Sequence, residues 1–161
     1  MSPEEQAKKA AIIEFDRLKR VGEELDISVD LEETEDYVIL FVLMEDRRGS
    51  GRRLLLKLKC DDYPQQAPSL ECINPEAFHD HTLRDNVRAE FYPKGPNMVV
   101  DPNRSPMPIM CIRGHRLYYA NGWHQPPWIN PPKEQDSIYG FVTKVRSAFL
   151  DTWVQKESFA A

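Results

Sequence analysis

Apolar residues recur at helical spacing near the start of the chain, where Ala11, Phe15 and Leu18 share one face with Ile12 beside them. Ser2 is placed to cap this helix, Pro3 suits its first position, and Glu5 completes a capping box. Gly22 is the expected stop. The period then changes to two. "ISVDLEE" turns Ile27, Val29 and Leu31 inward, and Tyr37 to Met44 is a continuous apolar run suited to a central strand. "RRLLLKLKC" alternates Leu54, Leu56, Leu58 and Cys60 with Leu55, Lys57 and Lys59, a strand with one buried face. "SLECI" is a shorter fourth strand with Leu70 and Cys72 on one side. The short connections predict an antiparallel meander.

Beyond residue 73 the pattern fades. Residues 74–110 are proline-rich and aperiodic, which predicts a long ordered loop with a short strand at "NMVV". A second irregular stretch follows Cys111 and is rich in aromatic rings. Five rings or imidazoles, Tyr118, Tyr119, Trp123, His124 and Trp128, are expected to form one wall of a site at Cys111. The last element is the strongest helix. Asp136 is its expected cap, and Ile138, Phe141, Val142, Val145, Phe149 and Trp153 form a wide apolar stripe for docking on a sheet. The order of elements is that of a single α+β domain over residues 1–161.

Composition narrows the function. Hydrophobic residues make up 41% and charged residues 29%, which fits a globular chain and not a disordered one. No apolar run approaches the roughly 20 residues of a membrane span. The charged N-terminus does not read as a secretory signal, so the expected compartment is cytoplasmic. A net charge of -5 gives no nucleic-acid footprint. The one basic cluster, Arg47, Arg48, Arg52 and Arg53 around two glycines, reads as a solvated hairpin tip, with a docking patch for an acidic partner as the alternative.

Three cysteines without a C-x-x-C signal neither a disulfide framework nor structural zinc, and His79, His81, His115 and His124 show no ligand spacing. No metal or other cofactor is expected. Cys60 and Cys72 fall on strand positions and read as small core residues. Cys111 differs, because it follows the turn Asp101-Pro102-Asn103, with Asn103 eight residues before it.

These residues resemble the ubiquitin-conjugating enzyme (UBC) family. "YPQQAP", Tyr63 to Pro68, is similar to the family's Tyr-Pro-x-x-Pro-Pro turn, with Ala67 in place of one proline. Asp101-Pro102-Asn103 is similar to its His-Pro-Asn, with Asp101 in place of histidine, and the Asn-to-Cys spacing is the family's. Met110-Cys111-Ile112 matches the family's Ile-Cys-Leu. The resemblance covers roughly residues 3 to 155. It departs in a longer interval between Pro68 and Pro102, in an expanded interval after Cys111, and in the lack of two further C-terminal helices. Bacterial forms, encoded beside ubiquitin-like modifiers and activating enzymes, fit best, and antiphage defence is a role compatible with them.

The resemblance implies a UBC-like fold: an N-terminal helix, a four-stranded antiparallel meander, a long irregular active-site region and a C-terminal helix packed on the sheet. It implies that Cys111 accepts the C-terminus of a ubiquitin-like modifier from an adenylating activating enzyme as a thioester, then passes it to a lysine of a target protein. Thioester exchange between sulfurs is nearly balanced, so a thiol with an ordinary pKa of about 8.5 suffices without a strong base. By the same resemblance, Asn103 stabilises the oxyanion or holds the loop that does. Pro102 shapes the turn, and Asp101 either caps it or orients an incoming lysine. His115 and His124 are candidate proton carriers. The exposed Lys8, Lys9, Arg17 and Lys19 of the first helix are expected to meet the activating enzyme. A non-catalytic UBC-like or RWD-type binding module is the main alternative, and a cysteine hydrolase using His115 or His124 is another.

Overall fold

The computed structural model describes residues 1–120 and 127–155. It is a mixed α+β architecture built on a four-stranded antiparallel sheet in the order β1-β2-β3-β4. Helix α1 (Pro3–Arg20) begins as its sequence demands. Ser2 caps it by accepting the Glu5 N–H at 3.1 Å, and the first turn carries Glu4 and Glu5 where the helix dipole favours anions. It ends at Val21 and not at Gly22, which instead opens the short helix α2 (Gly22–Leu25). Gly22 is needed for close approach: a Cβ there would lie 3.0 Å from the Ile27 carbonyl oxygen.

The strands are β1 (Ile27–Glu33), β2 (Val38–Glu45), β3 (Arg53–Lys59) and β4 (Ser69–Ile73). Register places Val29 opposite Val42, Val42 opposite Leu56, and Leu56 opposite Cys72, a continuous apolar row across one face. Helices α1 and α4 (Ile138–Ala148) pack on that face. The stripe from Ile138 to Trp153 is buried throughout, each large side chain contributing about 1.5–3 kcal/mol. Its last residues, Phe149–Trp153, form a π-helical turn. The cap of α4 is Ser137, whose Oγ accepts the Gly140 N–H at 3.0 Å; Asp136, the sequence's candidate, is one residue too early and has another partner.

The second face of the sheet is buried as well, which corrects the one-faced reading of β3. Phe41, Leu43, Leu55 and Ile73 form a separate core with Ala77, packed by Phe78, Leu83 and Val87. The covering residues come from the aperiodic insert, folded as 3-10 turns at Pro75–Phe78 and His81–Leu83. Arg84 pins this cover. It is 3% exposed, lies 3.9 Å over the Phe41 ring, and donates to Asp30, Glu32 and the carbonyls of Ala77 and Phe78. A guanidinium so deeply buried is tolerated because its donors are met by two carboxylates and two carbonyls.

The expected strand at "NMVV" exists as β5 (Met98–Val99), paired with an unforeseen β6 (Ile109–Met110). The Arg-rich hairpin between β2 and β3 is tied by Asp46, which accepts from the Ser50 N–H and hydroxyl at 2.8 and 2.9 Å. No described helix is long and apolar enough to cross a membrane.

Candidate functional site

Cys111 follows directly on β6, and its N–H donates to the Asn97 carbonyl at 2.7 Å. Asn97 adopts a positive φ of 66°, which asparagine tolerates better than most residues. The preceding carbonyl, of Pro96, accepts the indole N–H of the buried Trp153 at 2.7 Å. The loop bearing the thiol is thus bolted to the end of the C-terminal helical segment. Gly114 completes the fastening. Its φ is 124°, and a Cβ there would meet the Phe141 Cβ at 2.6 Å, so only glycine lets the loop lie against α4.

The thiol opens on a groove of about 440 Å³. It is lined by Asn97, Cys111 and Arg113 of the loop, Lys144 and Ala148 of α4, Asp151 and Thr152 of the π-helical turn, and Tyr118 of helix α3 (Arg116–Tyr119). Lys144, Ala148 and Thr152 follow at i, i+4 and i+8, with the small alanine leaving room between two polar side chains. Cys111 is half-buried, and that burial holds its thiol above the ordinary range. Cys60 and Cys72 are fully buried, and burial pushes both thiols far higher. Only Cys111 of the three is accessible to a reactant.

Beside the groove sits a charge cluster. Asp136 is 10% exposed along its side chain; its Oδ2 accepts from Arg113 at 2.8 Å, while its Oδ1 has no hydrogen-bond partner and lies 3.9 Å from Lys144 Nζ. Burial lowers the Lys144 pKa, and Arg113 adds to that, outweighing the opposing pull of Asp136. Sequence reasoning passed over Lys144, which looked like one more polar residue on an amphipathic helix, and took Asp136 for a cap.

The other anticipated residues fall as follows. Asp101 organises the turn: its carboxylate accepts the Asn103 N–H at 3.1 Å and pairs with Arg104 at 3.3 Å. Pro102 and Asn103 are exposed on that turn, and neither lines the groove. His115 is buried, with Nε2 hydrogen-bonded to the Met110 carbonyl at 2.6 Å and its ring 5.6 Å from Phe141. It braces the loop from behind. Tyr118 reaches the groove, but Tyr119 packs on Trp128, which packs on Tyr63 and donates to the Pro64 carbonyl at 3.0 Å. That part of the aromatic wall faces the "YPQQAP" turn instead. Trp123 and His124 lie outside the described residues.

The turn and the thiol loop are one unit. Arg116 N–H donates to the Pro68 carbonyl at 2.8 Å, its Nε to Ala67 at 3.1 Å, and its guanidinium pairs with Asp61 at 2.6 Å. Tyr63 donates to Glu14 at 3.0 Å, and the same carboxylate accepts the Tyr139 N–H at 3.2 Å, stitching α1, the turn and α4 together. On α1, Lys8 pairs with Glu33, and Arg17 pairs with Glu134 and lies 3.8 Å from the Tyr139 ring centroid. These two cations have structural partners, while Lys9 and Lys19 remain exposed. Among the described residues, no three His, Cys, Asp or Glu side chains converge as a metal site. No protein-family model, curated protein or solved structure matches the chain.

Proposed function

We propose that the protein is a UBC-like conjugating enzyme that carries a ubiquitin-like modifier as a thioester on Cys111 and transfers it to a lysine amine. The observation that carries this reading is the contrast among the three thiols: two are sealed in the core, and Cys111 alone opens on a groove, of about 440 Å³. The helix-meander-helix order, and the ties from Arg116 and Trp128 to the "YPQQAP" turn, are consistent with it. A raised thiol pKa suits an acceptor that needs no strong activation, because exchange from one thioester to another is nearly isoenergetic. Asn103 then acts through the Asp101 turn that frames the loop, and Asn97 is the asparagine lining the groove. The protein would work in the cytoplasm, receiving the modifier from an adenylating enzyme.

One observation favours a non-catalytic binding module: Asn103 is outside the groove. A hydrolase using His115 is disfavoured, since its Nε2 is engaged by Met110. The deciding experiment supplies ATP, a cognate activating enzyme and its modifier. Wild-type protein is expected to form an adduct that thiol reductant cleaves. Cys111→Ala abolishes it, Cys111→Ser gives at most a reductant-resistant oxyester, and Cys60→Ala and Cys72→Ala still load. Wild-type protein that never loads would leave the binding module as the better reading.

A further inference from the structure

Resting on the conjugating-enzyme reading, we infer that Lys144 is a built-in acceptor: an acyl group held on Cys111 moves within the same molecule to the Lys144 amine. Two independent features point to it. The first is shared space, since Cys111 and Lys144 line the same groove, with the small side chain of Ala148 one helical turn from the lysine. A lysine stem has four flexible carbons, so its amine sweeps the groove without any backbone movement.

The second is Asp136. Arg113 occupies its Oδ2 at 2.8 Å, and its buried Oδ1 has no hydrogen-bond partner and faces Lys144 Nζ at 3.9 Å. That separation is beyond a hydrogen bond. A carboxylate oxygen left open in this way is a receptor for the proton that an ammonium must lose before it can attack. Burial, the largest cause, also lowers the pKa of this amine below its ordinary value. An ordinary surface lysine has neither feature.

The step balances without a co-reactant. The Nζ lone pair attacks the thioester carbonyl carbon, the C–N bond forms and the C–S bond breaks. The electron pair leaves on Sγ, which takes up the proton shed by the amine. The products are an amide on Lys144 and a regenerated Cys111 thiol. The acyl chain then stays anchored in the groove, so a molecule that has undergone the step is expected to load again more slowly.

The test loads Cys111 chemically, with a short peptide α-thioester of mercaptoethanesulfonate, so that no activating enzyme is involved. Intact-mass and peptide-mapping spectrometry then follow the acyl group over time. The expected result is a hydroxylamine-labile adduct on Cys111 that converts to a stable amide on Lys144, at a rate independent of protein concentration. Because the reaction is intramolecular, Lys144→Arg is expected to slow conversion by at least about tenfold while Cys111 still loads, which also shows that the variant is folded. Cys111→Ala should leave Lys144 unacylated. A Cys111 thioester that hydrolyses with Lys144 untouched overturns the inference. So do unchanged conversion in Lys144→Arg, wild-type acylation of Lys144 in Cys111→Ala, and a Cys111 that takes no acyl group from the probe. None of these outcomes bears on enzymatic loading, which the ATP-dependent assay measures separately.

Discussion

The N–H of Cys111 and the carbonyl of Asn97 are joined by a 2.7 Å hydrogen bond, and the neighbouring Pro96 carbonyl is held by the Trp153 indole. The reactive loop therefore takes its position from a residue fourteen places upstream and from the far end of the last helical segment. Under the proposed activity, Asn97→Gly is the informative variant, because glycine accepts the positive φ and removes only the side chain. Loading should persist, and discharge to lysine should slow by about tenfold to a thousandfold if the amide contacts the oxyanion. Asn103→Ala should act less on discharge. Single-turnover discharge assays on the two variants separate these contributions.

Thiol reactivity should follow burial. Iodoacetamide is expected to modify Cys111 well ahead of Cys60 and Cys72, which should react only on unfolding. The attacking species is the thiolate, and burial disfavours it, so the Cys111 rate should keep rising with pH beyond 9.0. A plateau well below that pH would show that Lys144 or Arg113, on the same groove, stabilises the thiolate. Mass-spectrometric rates from pH 7 to 10.5 provide the measurement.

Gly114→Ala should cost about 3 kcal/mol of stability, combining strain at a φ of 124° with a collision against Phe141. Urea unfolding measures it. A loss below about 0.5 kcal/mol, the range of neutral surface changes, would show that the loop can retreat from α4.

Arg84→Met should cost about 1–3 kcal/mol, because it leaves the Ala77 and Phe78 carbonyls without a donor and removes the cation from the half-exposed Asp30 and Glu32. The network also predicts acid sensitivity. Burial would raise the Asp30 pKa, but hydrogen bonds from Arg84 and the Leu31 backbone hold it below the ordinary 3.8. A depressed carboxylate gives its stabilisation above the unfolded pKa and loses it as pH falls through the lower, folded one. The urea midpoint should therefore drop as pH falls from about 5 toward 3, with a shallower drop in Asp30→Asn.

Much of the scaffold was legible in the chain. Period-two alternation and one continuous apolar run gave the four strands in order, and the Ser2 cap and the stripe from Ile138 to Trp153 gave the two packed helices. The second core was not legible, because Leu55 and Phe41 are covered by residues 74–88, whose 3-10 turns carry no period to read. Asn97 had a signal that went unused: it ends "GPN", a turn sequence whose last residue tolerates positive φ. Lys144 had none, since helical pattern separates polar from apolar faces but does not say which polar residue borders a thiol. Asp136 and Ser137 are both good caps, and only the geometry shows that Ser137 takes the task, leaving Asp136 to Arg113.

The cover over Phe41, Leu43, Leu55 and Ile73 makes the sheet a filling between two slices. Its aromatic and aliphatic side chains there are each no more than 2% exposed. Trimming the insert would bare a contiguous oily plane and leave Asp30 and Glu32 without their cation. The insert is thus upholstery fixed to the frame, and a shortened chain should stick to itself before it loses its strands.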